Sequence, residues 1–450
     1  VSIWANVIKR FKAPALPLPT PVYDQNYVNQ LLSVLRLYFN QLDNLLGQIV
    51  DAAPVNVQFY GTALDAFGRA RFSQPYTLFD SQNRYEKNDL FSETTATGGT
   101  VTYTTNESTV NLNVTTSSGS EVVRQTYRSF SYQPGKSLLV LNTAVMPAAQ
   151  DGQRIRIGYF NTENGVFLER DGTAVYIVRR TYVSGMAVDN KVAQADWNGD
   201  KLNGTGDSTF TLDLTKAQIF WQDFEWLGVG SVRAGFVIDG QVIICHTFQN
   251  ANNLTSVYMT TAILPVRYEI TNTGATTSSA TLKQICSTVI SEGGYEKKVV
   301  PTVVRMTTAN TSIGSAFVPL MSIRLASGRT GAVIVPDGYS VLPTASSSVT
   351  FEVVAVKNPT LTGASWGATD SNNVERDLSA TSYTGGTIVF SQYVLASNLS
   401  SGLIGNGQEY NWELQLGATL GGVSDIYTIA VRALSGTHSA VGSMSFWDLT

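Results

Sequence analysis

The sequence predicts a mainly β protein, with one N-terminal heptad helix followed by two antiparallel β-sandwiches. Three observations lead there. Between Tyr27 and Val50 apolar residues recur at alternating gaps of three and four. Beyond residue 100 nearly every apolar pattern has period two instead. Charged residues are only 14% of the 450 positions, against roughly a quarter in ordinary soluble proteins, and glycine numbers 38. Low charge with abundant Thr, Ser, Asn and Gly suits sheet-built assembly proteins. The net charge of −4 predicts no bulk attraction to nucleic acid or to a membrane surface.

Residues 1–24 read as an extended, basic arm. Lys9, Arg10 and Lys12 precede the first acid, Asp24, and Pro14, Pro17, Pro19 and Pro21 prevent regular structure. Such a stretch cannot build a core and must borrow its packing. Trp4, Lys9, Arg10, Phe11 and Lys12 are the expected anchor contacts on another protein. Val1 to Phe11 has no secretory apolar core, so synthesis in a cytoplasm is expected.

The helix is expected over 25–51, with Asp24 as N-cap and Pro54 beyond its end. Val28, Leu31, Leu35, Tyr38, Leu42, Leu45 and Ile49 hold the a/d spacing for about three heptads. Leu32, Phe39 and Leu46 add an apolar e row, wider than a two-stranded seam needs. Asn29, Gln30, Arg36, Asn40, Asp43 and Asn44 fill much of the rest, so the helix is amphipathic and not a membrane span. A helix lying on its own chain's sheet is the competing reading. The e row and the regular seam favour a homo-oligomeric bundle, expected to be a trimer.

Residues 52–90 read as a connector and 91–300 as the first sandwich. Val101 and Tyr103, Val110 to Val114, Ile155 and Ile157, and Phe210 to Leu214 alternate as strands do. Asp171-Gly172 and Asp239-Gly240 mark hairpins with type I′ turns. This sandwich is expected to end near Tyr268-Glu269-Ile270, with 271–280 a loop and Leu282 to Gly293 ambiguous. Residues 301–450 read as the second sandwich. In it Phe351 to Val356 should be covered on both faces, Tyr410 to Leu416 should be a strand, and Ile426 to Leu434 and Met444 to Leu449 should be the last strands.

Catalytic groups are scarce. Cys245 and Cys286 sit in apolar surroundings and are expected as free thiols. His246 follows Cys245 on an expected strand, so the two side chains should face opposite ways. Asp223 and Glu225 lie two apart on an expected strand, hence on one face, between Trp221 and Trp226. Lectin-like sandwich glycosidases place three acids at alternate positions on one strand, and here the first position is Trp221. These four residues are therefore candidates for glycan contact, with a depolymerase using Asp223 and Glu225 as the enzymatic alternative. Asp196 to Asp207 spaces oxygen ligands roughly as an EF-hand does, but lacks its sixth-position glycine and twelfth-position glutamate. No phosphate-binding or nucleophile-elbow motif occurs. The chain is expected to catalyse nothing, with no metal and no cofactor.

Asp65-Ala66-Phe67-Gly68-Arg69 with Pro75 to Tyr85 is similar to a connector in virion structural proteins of tailed phages, notably marine and cyanobacterial ones. Gln218 to Phe248 with Leu264 to Ile270 resembles the sandwich core of those proteins, and Lys283 to Gly294 the segment after it. The resemblance covers roughly residues 60–300 and implies a virion component, a fibre or appendage subunit, without any active site. The expected whole is an N-terminal anchor held by other virion proteins, an oligomeric neck, a lectin-like (jelly-roll) sandwich and a C-terminal sandwich, with contact to a host-surface glycan or protein. A capsid-decorating or head-fibre protein is the alternative, differing in where the arm docks.

Burying Leu35, Leu42 and Leu45 in a bundle contributes about 1.5–3 kcal/mol each per chain. Leu42→Asp is expected to dissociate the oligomer in light scattering. A wild-type chain that is monomeric at micromolar concentration would sink the bundle.

Overall fold

The computed structural model describes residues 16–18, 22–51, 74–296, 298–397, 400–401, 404–407 and 412–450. The chain divides into Val1–Phe72 and Ser73–Thr450. The expected anchor residues Trp4, Lys9, Arg10, Phe11 and Lys12 lie outside the described residues.

In the first unit a helix, α1, spans Gln25–Asp51. Asp24 caps it as expected: its Oδ1 accepts the Asn26 amide at 2.8 Å and its carbonyl accepts the Val28 amide. Val28, Leu31, Leu35, Tyr38 and Leu42 are half-buried, while Leu32 (47%) and Phe39 (56%) are exposed. Leu45 and Ile49 lie on the helix, with side chains outside the described part. No described helix is long and apolar enough to cross a membrane.

Ser73–Thr450 is built of antiparallel sheets. The first sandwich uses β1 (Tyr76–Ser81), β2 (Phe91–Ala96), β3 (Thr100–Thr104), β4 (Thr109–Val114), β5 (Glu121–Thr126), β6 (Leu138–Val145), β7 (Gln153–Phe160), β8 (Gly165–Asp171), β9 (Ala174–Thr181), β10 (Val188–Ala193), β11 (Gln218–Phe224), β12 (Val232–Ile238), β13 (Gln241–Phe248), β14 (Val266–Asn272) and β15 (Ala280–Ser291). One sheet runs β13-β12-β11-β6-β15-β4-β3, with β1 also paired to β15; the other runs β10-β9-β8-β7-β14-β5-β2. Alternate residues such as Val140, Ile155, Ile157, Phe220, Phe236, Tyr268 and Leu282 face inward and fill one core.

Several expectations change. The connector contributes β1, which pairs with β15, so the sandwich begins before Leu90. The ambiguous stretch after Leu282 belongs to a twelve-residue strand in mid-sheet. Phe210 to Leu214 is not a strand; it crosses as an irregular arm, held by the Leu212 amide on Leu202 and the Met146 amide on the Leu214 carbonyl. Asp239 and Gly240 both take positive φ (+50° and +73°) between paired Ile238 and Gln241, as a type I′ turn requires. At the other hairpin Asp171 pairs with Ala174, so the loop is Gly172-Thr173 with Gly172 at φ +57° in the first position. That is the II′ arrangement, shifted by one residue from the expected I′ turn.

The second sandwich packs a five-stranded sheet, centred on Ile334–Thr344 and His438–Asp448, against a seven-stranded one centred on Val318–Leu325, Ile426–Ala433 and Val349–Lys357. Val349–Lys357 is buried on both faces, as its sequence predicts. Phe446 pairs with Thr302 and Pro336, so the apolar C-terminal stretch is a strand. Of the strand expected over Tyr410 to Leu416, residues 410–411 lie outside the described residues; in the rest, Trp412–Leu414 is a 3-10 turn and Leu416 makes a single bridge to Ile334.

Residues 412–420 join the two sandwiches. Gln415 Nε2 donates to the Ser129 carbonyl (2.7 Å), the Ala418 amide to Tyr127 (2.8 Å), and the Leu420 amide to Ser92 Oγ (3.1 Å). Val333, Val335 and Leu449 pack there with Ile263, Tyr295 and Trp412. The backbones meet so closely at Gly417 that an added Cβ would lie 2.6 Å from the Tyr127 carbonyl oxygen. Gly417→Ala is therefore expected to lower stability by about 1–3 kcal/mol, read as a shifted urea midpoint. Gly421→Ala, which meets nothing nearer than Thr419 Oγ1 at 3.7 Å, should leave the midpoint in place.

Candidate functional site

The quartet singled out by sequence does not form a binding face. On β11, Phe220 and Phe224 point into the core, which turns Trp221 and Asp223 outward. Asp223 stands opposite Arg233 on β12, which donates to both its carboxylate oxygens and lies 5.6 Å above the Trp221 ring. Burial pushes the Asp223 carboxyl up and Arg233 pulls against it, while the same pair raises Arg233. Glu225 lies past the strand's end; its carboxylate accepts the Ser231 amide and hydroxyl and so closes the turn to β12. Trp226 packs edge-on against Tyr132 (5.9 Å), whose oxygen accepts its amide. Asp223 is committed to an ion pair and Glu225 to a turn, so the two carboxylates do not converge on a substrate site.

The cysteine and histidine expectation also shifts. A bulge pairs Ala234 with His246 and Gly235 with Ile244, leaving Cys245 without a partner residue. Both Cys245 and His246 are consequently buried, where clean alternation would separate them. Burial pushes the Cys245 thiol up to about 12, and burial together with Arg179 lowers His246. Cys245 and Cys286 are free thiols. In the calcium-like loop, Asp200 accepts the Leu202 and Ser208 amides at 2.8 Å, so its oxygens organise the backbone. Among the described residues no three His, Cys, Asp or Glu side chains converge as metal ligands.

The structure assembles a different constellation on the outer face of the sheet β10-β9-β8-β7-β14-β5-β2. Arg156 on β7 stands directly between Glu169 on β8 and Glu269 on β14. It binds Glu169 at 2.6 Å, Glu269 at 3.4 Å and Asp189 at 3.6 Å. Arg180 holds Asp189 through two nitrogens, Lys191 reaches Glu169, and Arg154 and Arg267 share Glu269. Beneath them lie Phe160, Phe167 and Val178, fully buried although they face away from the core. Arg156 and Arg180 cover Phe167 and Arg267 covers Phe160, at 5.1–5.6 Å from the ring centres. Each guanidinium thus seals apolar surface while its carboxylate partner meets its charge.

This face runs through Gln125 and Arg267 into a cleft of about 430 Å³ at the joint between the sandwiches. Its first wall carries Asn161, Glu163 and Thr261; its second carries Arg329, Thr330 and Asn373. The sequence does not announce it because its residues come from separate segments spread between Gln125 and Thr450, held together by the Tyr127–Ala418 and Ser129–Gln415 bonds.

No protein-family model matches the sequence, and no curated protein matches it. Among solved structures, the Emp47p carbohydrate recognition domain is similar over 50% of this chain and 100% of its own, at 10% identity and TM-score 0.32. Arcelin-5, a lectin-like defense protein from Phaseolus vulgaris, is similar over 49% and 98% (10% identity, TM-score 0.28). A CBM2 module of the evolved Dit of Lactobacillus casei BL23 phage J-1 is similar over 50% and 100% (6% identity, TM-score 0.32). At these identities and scores the likenesses assign neither ligand nor activity to this chain.

Glu269 gives the site a pH signature. Burial raises its carboxyl, but Arg267, Arg156 and Arg154 outweigh that and hold it below the ordinary carboxylate value. A depressed folded-state value contributes stability above the unfolded pKa of about 4.3, and that stability is lost as pH falls through the folded value. Glu269→Gln is expected to lose about 3–5 kcal/mol at pH 7, because arginines are left without their partner. The gap to wild type should narrow as denaturation is repeated below pH 4; a constant gap would rule out this linkage.

Proposed function

We propose that Ser73–Thr450 binds glycans without cleaving them, as the projecting part of a virion appendage whose first seventy or so residues dock and oligomerise. One observation carries the glycan reading: the cleft at the joint is walled by amides, hydroxyls and guanidinium groups. Its size lies within the usual range for a small-ligand site. Saccharides present dense hydroxyls, which such mixed donors and acceptors match, directly or through water. Among the described side chains on its walls Glu163 is the one acid, so the paired acidic side chains of a glycosidase are not assembled there.

The virion reading draws on the phage-type motifs and on α1. Exposed Leu32 and Phe39, beside the half-buried seam from Val28 to Leu42, are what a homotrimeric neck would cover. Weak glycan sites repeated in such an oligomer would gain by avidity. The arm would then hold other virion proteins, on a tail or, in the alternative, on a capsid.

The full-length protein is expected to bind members of a host-surface glycan panel in calorimetric titration and to release no reducing ends from them. Thr330→Trp, which fills the cleft from an exposed position, should abolish the binding while leaving the melting curve unchanged. Absence of binding across the panel would remove the glycan reading, and release of reducing ends would restore the depolymerase alternative.

A further inference from the structure

The cleft lies at the end of the face that carries the ion-pair lattice. The ion-pair lattice on the outer sheet face contains five cations (Arg154, Arg156, Arg180, Lys191, Arg267) and three acids (Glu169, Asp189, Glu269), and Asp171, in register with Arg154, and Glu121, in register with Thr271, bring the acids on that face to five. The chain as a whole carries −4. Cations gather most closely at Glu269, whose carboxylate is shared by Arg154, Arg156 and Arg267. Arg267 also lines the cleft and donates to Gln125 Oε1 at 3.0 Å.

Across the cleft stands Arg329. Its loop is tight: the Arg329 amide donates to the Ala326 carbonyl and the Ala332 amide to the Arg329 carbonyl, both at 3.0 Å. Among the described residues the Arg329 side chain makes no hydrogen bond or ion pair, and it is exposed. Glu163, the sole acidic side chain among the described residues on the walls, pairs with no cation among them either. A guanidinium with free donors beside hydroxyl and amide groups is suited to bidentate recognition of a planar or tetrahedral anion.

We propose that the cleft selects anionic saccharides, with Arg329 holding the acid group and Arg267 adding a second positive charge on the cleft wall. This rests on the glycan reading above and names the class of sugar. Carboxylated and sulfated sugars share the chemistry, and the test separates them.

The test titrates the full-length protein with four probes of matched length: a neutral oligosaccharide, a uronate oligosaccharide, a sulfated oligosaccharide and single-stranded DNA. At least one anionic saccharide should bind about ten-fold or more tighter than the neutral one, and the gap should shrink as salt is raised. Arg329→Gln should weaken that saccharide about ten-fold, Glu163→Gln should tighten it, and neither should move the melting temperature. Which saccharide wins identifies the acid group. Equal binding of neutral and anionic sugars, with Arg329→Gln unchanged, overturns this inference and leaves the glycan reading standing. Binding of no saccharide removes both. Tighter binding of DNA than of either anionic sugar overturns the saccharide assignment.

Discussion

The first sandwich depends on one irregularity, the Ile285-Cys286 bulge in β15. On one edge β15 pairs with β6 from Lys283 to Ser291, with a register shift at the bulge; on the other it pairs first with β4 and then with β1. The handover falls at the bulge, between Gln284 and Ser287, where a straight ladder would leave carbonyls unpaired inside the sheet. Two side chains satisfy them. Asn83 Nδ2 donates to the Ile285 carbonyl at 2.8 Å, and the Tyr268 hydroxyl to the Cys286 carbonyl at 3.1 Å. Both residues are buried, and burial pushes the Tyr268 hydroxyl up to about 12, so it remains a donor at neutral pH. The bulge lets a single strand carry three neighbours and brings the chain out at Tyr295, beside Trp412 in the joint.

The rest of the site follows from how the sheet facing β15 solves its own outer surface. An apolar patch there, Phe160, Phe167 and Val178, would be a liability if left wet. Arginines cover it and carboxylates on the same and neighbouring strands neutralise them, a lattice possible only because cross-strand neighbours stand in register. Where that lattice reaches the joint, Arg267 meets polar loops of the second sandwich, and the cleft is what remains between surfaces that touch at Gly417 and Tyr127.

Much of the fold was legible because its signals are local. The Asp24 cap, the start and end of α1, the Asp239-Gly240 turn and the doubly buried Val349–Lys357 strand each depend on residues within a few positions of one another. The misreadings have a common cause. Asp223 and Glu225 look like a face until the strand ends at Phe224; Cys245 and His246 look opposed until the bulge intervenes; Phe210 to Leu214 alternates without a ladder to join. Alternation states what a segment can bury, not which strand will pair with it.

By itself, then, the sequence determined a β-rich chain behind one capped amphipathic helix, with few groups fit for catalysis. These are matters of side-chain period and composition. Only the tertiary structure decided that Arg233 neutralises Asp223, that Arg156 gathers three carboxylates from three other strands, and that loops from both sandwiches share a cleft with Arg329 at its edge. Those arrangements rest on strand register and on the close approach of backbones at the joint. Contacts between residues far apart in the chain set both, and no local pattern encodes them.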